Sequence, residues 1–499
     1  MTAVPQTPKI LGYLPNDVPP PGQLILLGFQ HVLTMFPATV LVALLVGFHP
    51  STVLMASGLA TIVALLGSRF AIGSFIPLYY GSSFSYIAAI VAITKASFGQ
   101  PVSDELIRVA QAGIVVTGLI NVAVGAAIRL AGGKNAIDKV LPPVVTGSVA
   151  AVIGFGLGQA ALNNAGGSNA NPAWWLVATV TLVATIAFSV YLQGRSFIGM
   201  LPILFGAITG YAFAAVVGLI APDAGVAPNY AAITNASLVT VPHITLPDFG
   251  NALSATAIVS IAVMAIATIP ESTAHLYQIS LYVDHLATEL GRARLGLNRF
   301  IGLNLIFDGL GDMVNGLLGG AAGTNYGENN SLMVITRNYA GAALLVAGAI
   351  AIILSFSGTL AGIVTSIPTP VSGGLSIYLF GVIGMQGIAL MMSERVNLFD
   401  PQQLAIGAVI MIVGIGGNIG YPGGFLPIPI LQGVFPNGLP AIATGAVAGI
   451  LLNLLFLLIP APTVRAAVPA APDMSQPAPS PTPGSAARAR PERRKKGRR

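Results

Sequence analysis

The feature that most constrains this chain is the repetition of long apolar stretches along nearly all of its 499 residues. A helix that crosses a bilayer needs about 20 mostly apolar residues. Only 8% of the residues are charged, against roughly 25% in an average soluble domain. The sequence therefore excludes a soluble globular enzyme and predicts an all-α integral membrane protein. About fourteen spans are expected, at 23–47, 50–67, 75–95, 106–130, 138–162, 173–193, 197–220, 250–275, 297–318, 321–337, 339–357, 360–385, 402–418 and 437–460.

The placement of the basic residues predicts how these spans are oriented. In short loops, Lys and Arg stay on the cytoplasmic side. With fourteen spans and a cytoplasmic N-terminus, 20 of the 22 basic residues fall inside, and only Lys95 and Arg108 fall outside. The first 22 residues are polar and proline-rich, unlike a cleavable signal peptide. We therefore expect a multi-pass protein of the inner or plasma membrane with both termini in the cytoplasm.

The excess positive charge belongs to the C-terminal tail. The formal charge is +6, yet residues 488–499 alone carry +7, so the rest of the chain is close to neutral. The preceding stretch, 461–487, is rich in Pro, Ala and Ser, a composition that cannot build a core. The sequence thus predicts a disordered, basic cytoplasmic tail over 461–499 and gives no indication of a nucleic-acid partner.

Two pairs of similar strings predict an internal repeat. Residues 141–147 resemble 367–373 at an offset of 226, and residues 80–83 resemble 326–329 at an offset of 246. Each offset corresponds to seven spans with their loops. Because seven is odd, the second copy must enter the membrane with opposite polarity. The sequence therefore predicts two inverted seven-span repeats, an arrangement typical of secondary transporters.

Spans three and ten are interrupted where the second pair of strings lies. Residues 76–81 and 322–327 are rich in helix breakers and in β-favouring residues. We expect short extended segments there, followed by half-helices capped by Ser82, Ser83 or Asn329. Non-helical backbone at membrane depth is tolerated only where it is buried in protein or lines a cavity. Matching interruptions in two repeats indicate a substrate site at which free N–H groups of helix starts act as donors.

Four acidic residues lie inside the predicted spans: Glu271, Asp308, Asp312 and Glu328. A carboxylate at a helix centre costs roughly 2.5 to 3.5 kcal/mol on insertion scales, so each is a candidate for function. Glu328 lies at the interruption itself. Glu271 is expected near the cytoplasmic end of span eight, with His275 one turn further on the same face, where the two side chains can exchange a proton. For Asp312, one turn from Asp308, a structural role is an equal alternative.

Enzymatic and metal chemistry find little support in the sequence. The chain has no cysteine, and its five histidines are too scattered along the chain to supply two metal ligands at productive spacing. His31 is typical of a buried core histidine, whereas His243 and His285 are expected in loops. There is no phosphate-binding loop. We expect no catalytic residue, no metal and no cofactor, and therefore transport driven by an ion gradient or by the gradient of the substrate.

The string from Glu328 to Arg337 resembles the signature of the nucleobase-ascorbate transporter family, also called nucleobase:cation symporter type 2. That signature reads Gln/Glu/Pro, Asn, any residue, Gly, four residues, Thr, Arg/Lys. It matches here except that Ser331 replaces the glycine. The pair of Glu271 and His275 is similar to a Glu and His of bacterial uracil permeases. Further similar motifs are Gln30-His31 in span one, Gly81-Ser82-Ser83-Phe84 in span three and Asp308-Gly309 in span nine.

This resemblance implies a division into a core, spans 1–4 and 8–11, and a gate, spans 5–7 and 12–14, usually in a homodimer. Carried onto this chain, it implies an N-terminal segment at 1–22, core segments at 23–135 and 223–357, and gate segments at 136–222 and 358–460.

The resemblance also implies a nucleobase between spans three and ten. The carboxylates of Glu271 and Glu328 would accept hydrogen bonds from ring N–H groups, while the backbone amides of Phe84 and Gly327 would meet ring carbonyls. The Phe84 and Tyr326 side chains would pack on the ring. Phe380 stands where a relative has tyrosine, and the implied supporting residues are His31, Ser83, Asp308 and Asn329.

The expected activity is proton-coupled uptake of a nucleobase, uracil being favoured, with Glu271 and His275 carrying the proton. Uracil is neutral at pH 7, so its accumulation needs a coupled cation, and sodium held by Asp308 and Asp312 is the alternative. A xanthine or purine permease stays open as a second substrate class. An anion transporter, a channel or a membrane enzyme fits less well, because the site is acidic and lacks a nucleophile.

Overall fold

The computed structural model describes residues 12–130, 139, 141–166, 171–192, 201–262, 264–432 and 438–459. The chain divides into two compact units, Met1–Leu455 and Phe456–Arg499. Of the second unit only the end of one helix is described, and everything below concerns the first. The predicted tail at 461–499 and the predicted boundary at 135 lie outside the described residues.

The first half of the described chain follows the predicted order of spans one to seven. Proline occupies one of the first two positions of five of its helices, where the missing N–H would have no intrahelical acceptor. The elements are α1 (Pro21–Val46), α2 (Pro50–Ile72), β1 (Tyr80–Ser82), a 3₁₀ turn (Phe84–Tyr86), α3 (Ile87–Thr94), α4 (Asp104–Leu130), α5 (Pro143–Gly156), α6 (Gly158–Asn164), α7 (Pro172–Tyr191) and α8 (Pro202–Ile220).

The second half continues with spans eight to fourteen. Its elements are α9 (Tyr230–Thr234), α10 (Ser254–Ala262), α11 (Ala265–Glu289), α12 (Ile301–Leu318), β2 (Gly323–Asn325), α13 (Gly327–Thr336), α14 (Gly341–Ser355), α15 (Gly358–Thr365), α16 (Thr369–Ser393), α17 (Pro401–Met411), a π turn (Ile412–Gly416), α18 (Gly417–Gly420), β3 (Phe425–Leu426), β4 (Leu439–Pro440) and α19 (Ala441–Leu458). Within the described residues, nine helices are long and apolar enough to cross a membrane unaided. The other predicted spans are shorter, more polar or broken helices.

The eighth span extends further than the sequence predicted. Span eight was expected at 250–275, but α11 continues well beyond that point. Its continuation is amphipathic: Leu276, Ile279 and Val283 recur at helical spacing and are fully buried. A span predicted from an unbroken run of apolar residues ends where polar residues begin to alternate with apolar ones, although the helix itself continues. Glu271 therefore lies in the first half of a long helix, and its expected place near a helix end was wrong.

Span twelve is displaced in the same direction. It was expected at 360–385, whereas the long helix is α16, and the shorter α15 ends before Pro368. Because a residue that precedes proline is disfavoured in a helix, the two prolines at 368 and 370 end one helix and begin the next.

The two interrupted segments meet in the interior as an antiparallel pair of strands. All six strand residues are buried. At the flanks of the pair, the Ser83 N–H donates to the Ala322 carbonyl and the Tyr326 N–H to the Tyr79 carbonyl, both at 2.9 Å. The predicted extended segments in spans three and ten are thus confirmed. Antiparallel pairing is what two inverted copies require, and the paired residues are Tyr80 with Asn325, Gly81 with Thr324 and Ser82 with Gly323.

The helices pack in two groups. Helix α12 packs on α4 and α2, and α14 packs on α1 and α2; elsewhere α16 packs on α5 and α7, and α7 packs on α8. Helices α4 and α12 meet backbone to backbone through glycines, since a Cβ added at Gly309 would lie 2.4 Å from the Gly118 carbonyl oxygen. Small residues allow this approach of backbones between membrane helices.

We expect Gly309→Ala to destabilise the protein. The added methyl group meets backbone rather than a movable side chain, and overpacking of this kind costs about 1 to 3 kcal/mol. The measurement is the thermal unfolding midpoint of the purified protein in detergent. The matched control is Gly381→Ala in α16, where a Cβ would meet nothing within 4 Å. Equal midpoints for the two variants would contradict the assigned backbone contact.

Candidate functional site

Both half-helices begin directly beside the paired strands. The Ser83 hydroxyl oxygen accepts the Ser85 N–H at 3.3 Å and caps the 3₁₀ turn that leads into α3, as expected for a cap. Helix α13 begins at Gly327, and its first intrahelical bond runs from the Asn330 N–H to the Tyr326 carbonyl at 3.2 Å. Asn329 is thus inside the helix, so its predicted capping role was wrong.

Asn329 instead joins α13 to α1. Its side-chain amide donates to the Nδ1 atom and to the carbonyl oxygen of His31, each at 3.1 Å. Since Nδ1 accepts this bond, the proton of the neutral imidazole lies on Nε2. His31 is 1% exposed, which confirms it as a buried, hydrogen-bonded histidine.

Two backbone amides occupy equivalent places on the two sides of the strand pair. The N–H groups of Ser83 and Tyr326 make the last hydrogen bonds that flank the strand pair, and Phe84 and Gly327 are the next residues in the chain. Both precede the first intrahelical bond of a helix start, where N–H groups have no acceptor within the helix. A ligand between the half-helices would therefore meet one donor from each repeat.

The two candidate carboxylates belong to the same region. The Ser85 hydroxyl, on the turn before α3, lies 3.5 Å from Oε2 of Glu271, at the long limit of a hydrogen bond. Glu328 lies in the first turn of α13, beside β2. The charges of Glu271 and Glu328 are close enough to interact. The fold thus brings two carboxylates from the second repeat to the paired strands and the adjoining helix starts, a region that we call the strand crossing.

An aromatic pair joins this region to the second helix group. The rings of Phe84 and Phe380 meet edge to face with centroids 5.5 Å apart, a geometry favoured by the ring quadrupoles. Both side chains are buried. Phe380 belongs to α16, so a helix of the second group reaches the strand crossing.

His275 is held by Asn325. Its Nδ1 lies 2.8 Å from the Asn325 carbonyl oxygen and 3.0 Å from the side-chain Oδ1. Both partners are acceptors, so Nδ1 carries the proton and Nε2 is left with a lone pair. Nε2 faces Gly327, where an added Cβ would lie only 3.0 Å away. Proton exchange between His275 and Glu271 stays a prediction.

A buried polar network supports this arrangement, and sequence reasoning missed it. The Ser272 hydroxyl oxygen accepts the side-chain amides of Asn304, at 2.9 Å, and Asn325, at 3.0 Å. The Tyr80 hydroxyl in turn donates to the Asn304 Oδ1 at 3.2 Å. The signal available was a set of polar residues within otherwise apolar spans, one of them adjacent to Glu271.

The Tyr326 side chain packs against Gly81 at the strand crossing. A Cβ at Gly81 would lie 2.4 Å from the Tyr326 ring, so only glycine leaves room for it. The hydroxyl donates to the Ser82 carbonyl at 3.0 Å and lies 3.0 Å from the Thr39 hydroxyl. Contact of this ring with a bound ligand stays a prediction.

The two aspartates of α12 differ sharply. Asp312 accepts the Gly323 N–H at 2.6 Å and the Asn121 amide at 3.1 Å, and it thereby anchors β2 to α4 and α12. These bonds show a structural role for Asp312, and a functional role stays a prediction. Asp308 is 2% exposed, and neither of its oxygens has a hydrogen-bond partner in the described part of the chain.

The comparisons with known proteins agree with this architecture. The sequence model of the xanthine/uracil permease family, described as "Permease family", matches residues 22–422. A uracil permease of Bacillus caldolyticus is 35% identical over 88% of this chain and 93% of its own length. A uracil permease of Escherichia coli K12 is 32% identical over 89% and 94%. The putative pyrimidine permease RutG of the same strain is 30% identical over 88% and 91%.

Solved structures show the same fold class. The transmembrane domain of the cyanobacterial bicarbonate transporter BicA matches with a TM-score of 0.51, covering 88% of this chain and all of that one at 12% identity. The anion transporter SLC26A9 matches with a TM-score of 0.57, covering 87% of this chain and 65% of that one, also at 12% identity. At this identity the likeness concerns the fold alone.

We expect Asp312→Asn to destabilise the protein more than Asp308→Asn. An amide at position 312 keeps one acceptor for two donors, and each unsatisfied buried polar group costs about 1 to 3 kcal/mol. At position 308 no hydrogen bond of the described structure is lost. Thermal unfolding of the two purified variants measures the difference. A larger loss at position 308 would refute the anchoring role of Asp312.

Proposed function

The chain belongs to the xanthine/uracil permease family, and we propose that it is a secondary active transporter that takes up a nucleobase, with uracil as the favoured substrate. The observation that carries this proposal is the meeting of Glu271 and Glu328 with the helix starts at Phe84 and Gly327. Relatives that bear the name uracil permease, similar over most of both chains, support the same substrate class.

The proposed recognition follows from the donors and acceptors of the ring. Uracil alternates N–H and carbonyl groups along its edge. Carboxylates accept only, and backbone amides donate only, so a ring between Glu271, Glu328 and the two amides would find a partner of the correct kind for each group. The edge-to-face pair of Phe84 and Phe380 would cover the ring. A site built of buried, matched polar groups rejects analogues strongly, because a mismatch leaves those groups unpaired.

The proposed transport cycle uses the two helix groups. The group of α1, α2, α4, α12 and α14, with the strand pair and α13, would form the core, and the group of α5, α7, α8 and α16 would form the gate. Substrate would bind where Phe84 of the core meets Phe380 of the gate. Displacement of the core along the gate would then open the site to one side of the membrane at a time.

The proposed coupling ion is the proton. When both are ionised, Glu271 and Glu328 carry like charges, and a proton taken up by Glu271 would remove their repulsion. His275, with its proton fixed on Nδ1 by Asn325, presents the Nε2 lone pair as a further place for that proton. Sodium is the second candidate, favoured by the two unpartnered oxygens of Asp308.

Location and assembly are proposed from the same reasoning. Many apolar helices and the family support a multi-pass membrane protein. We expect the inner or plasma membrane, both termini in the cytoplasm, and a homodimer. A xanthine or purine permease remains the second substrate class. The acidic site argues against an anion as cargo, although the solved neighbours are anion transporters.

We expect Glu328→Gln and Glu271→Gln each to weaken uracil binding by about tenfold or more, because a carboxamide places an N–H₂ group where the ring offers its own N–H. Calorimetric titration of purified protein measures the affinity, and Glu394→Gln, at the exposed end of α16, is the matched control. Excess xanthine should leave uracil binding unchanged. Displacement of uracil by xanthine would favour the purine alternative.

Uracil uptake into proteoliposomes should carry protons with it. We expect uracil to drive proton entry, reported by an internal pH dye in sodium-free buffer, and Glu271→Gln to abolish that entry while Glu394→Gln retains it. Undiminished proton entry in Glu271→Gln would remove Glu271 from the coupling role. Uptake that needs sodium would instead favour the Asp308 alternative.

A further inference from the structure

A second cluster of polar side chains lies apart from the strand crossing. It consists of His49 before α2, Asp104 at the start of α4 and His243 in the segment before α10, and we name it the rim cluster. One ligand atom from each residue lies within 4.8 Å of the other two. Nε2 of His243 is 2.9 Å from each oxygen of Asp104. The rings of His49 and His243 have centroids 4.6 Å apart.

The rim cluster corrects one inference from the sequence. The sequence predicts that the histidines are too scattered to supply two metal ligands. His243 lies in a loop as expected, whereas His285, also expected in a loop, lies in α11. The three residues are indeed far apart along the chain. They meet because α2 and α4 begin, and the segment before α10 passes, at the same end of one helix group, which no spacing in the sequence reveals.

The backbone that carries these side chains is fixed by hydrogen bonds. The Thr52 hydroxyl donates to the His243 carbonyl at 2.8 Å. The Gln111 amide donates to the Thr245 carbonyl at 2.6 Å, and the Thr245 hydroxyl donates back to the Gln111 Oε1 at 2.7 Å. The segment with His243 is thereby held against α2 and α4, the two helices whose starts carry the other ligands.

The start of α4 is tied to the start of α2 as well. The Val102 N–H donates to the Gly47 carbonyl at 2.9 Å, two residues before each of the ligands Asp104 and His49. Metal sites need ligands whose positions are fixed in advance, and these hydrogen bonds fix the backbone that carries all three side chains.

The donor set indicates a transition metal. Two imidazoles and one carboxylate suit zinc, whereas magnesium and calcium prefer oxygen ligands alone. Zinc bonds of about 2.0 to 2.2 Å place tetrahedral ligand atoms roughly 3.3 Å apart. Here the three ligand atoms lie within 4.8 Å of one another, and Nε2 of His243 is 2.9 Å from Asp104. The side chains of His243 and Asp104 are 48% and 55% exposed, which leaves a fourth position open to water.

We propose that His49, Asp104 and His243 bind one zinc ion, with water as the fourth ligand. The ion links α2, α4 and the segment before α10, all within one helix group, on the side of the protein that the basic residues predict to be external. It therefore fastens that end of the group without touching the strand crossing. This proposal is independent of which substrate is transported.

The test is a zinc titration of the full-length protein, purified in detergent and stripped of metal. We expect one zinc ion per chain by calorimetry and a rise in the thermal unfolding midpoint. His243→Ala and Asp104→Asn should each weaken zinc binding by more than about tenfold, since even outer partners of metal ligands are worth 10- to 100-fold. Both residues are exposed, so the fold should survive each change.

Two further variants make the experiment decisive. His285→Ala is the matched control, because His285 is also an exposed histidine 2.9 Å from a carboxylate, that of Glu289, and zinc binding should be unchanged. His49→Ala should weaken binding as strongly as His243→Ala. Zinc binding that survives His49→Ala would contradict the three-ligand site, because only the ion pair of His243 and Asp104 would then be left. Zinc binding lost only in His285→Ala, or no zinc binding at all, would also overturn the proposal.

Discussion

The pairing of two three-residue strands inside the bundle is the interaction on which the rest of the structure depends. Backbone N–H and carbonyl groups at membrane depth have no water to bond, so a helix can be broken there only if the exposed groups find partners in protein. Each broken segment is the partner of the other. The ladder thus makes two half-helices possible, and their starts bring Phe84 and Glu328 to the place where Glu271 of α11 and Phe380 of α16 also lie.

Much of this could be predicted from the sequence, since apolar length, glycine, proline and aromatic residues act locally. The fourteen apolar stretches each match a helix or a broken helix, and the interruptions in spans three and ten are strands. Boundaries failed where a helix became amphipathic, as in the continuation of α11 beyond Glu271. The end of such a helix depends on how far neighbouring helices bury one of its faces, and the length of an unbroken apolar run does not predict it.

Side-chain partners were harder to predict because they depend on residues distant in the chain. Asn329 was expected to cap a helix but bonds His31, 298 residues away. The structural role of Asp312 was open until its bonds to Gly323 and Asn121 were visible. The three residues of the rim cluster meet only in the folded chain. Residue type indicated which side chains are polar and buried, and the topology alone determined what they touch.

The backbone contact between Gly118 and Gly309 has a consequence for motion. Two helices that touch backbone to backbone have, at that point, no side chain between them that can change rotamer and make room. The contact of Phe84 with Phe380 is made instead by two side chains that meet edge to face, and each of them can change rotamer. Relative movement of helices would therefore meet more resistance at this glycine contact than at the aromatic one.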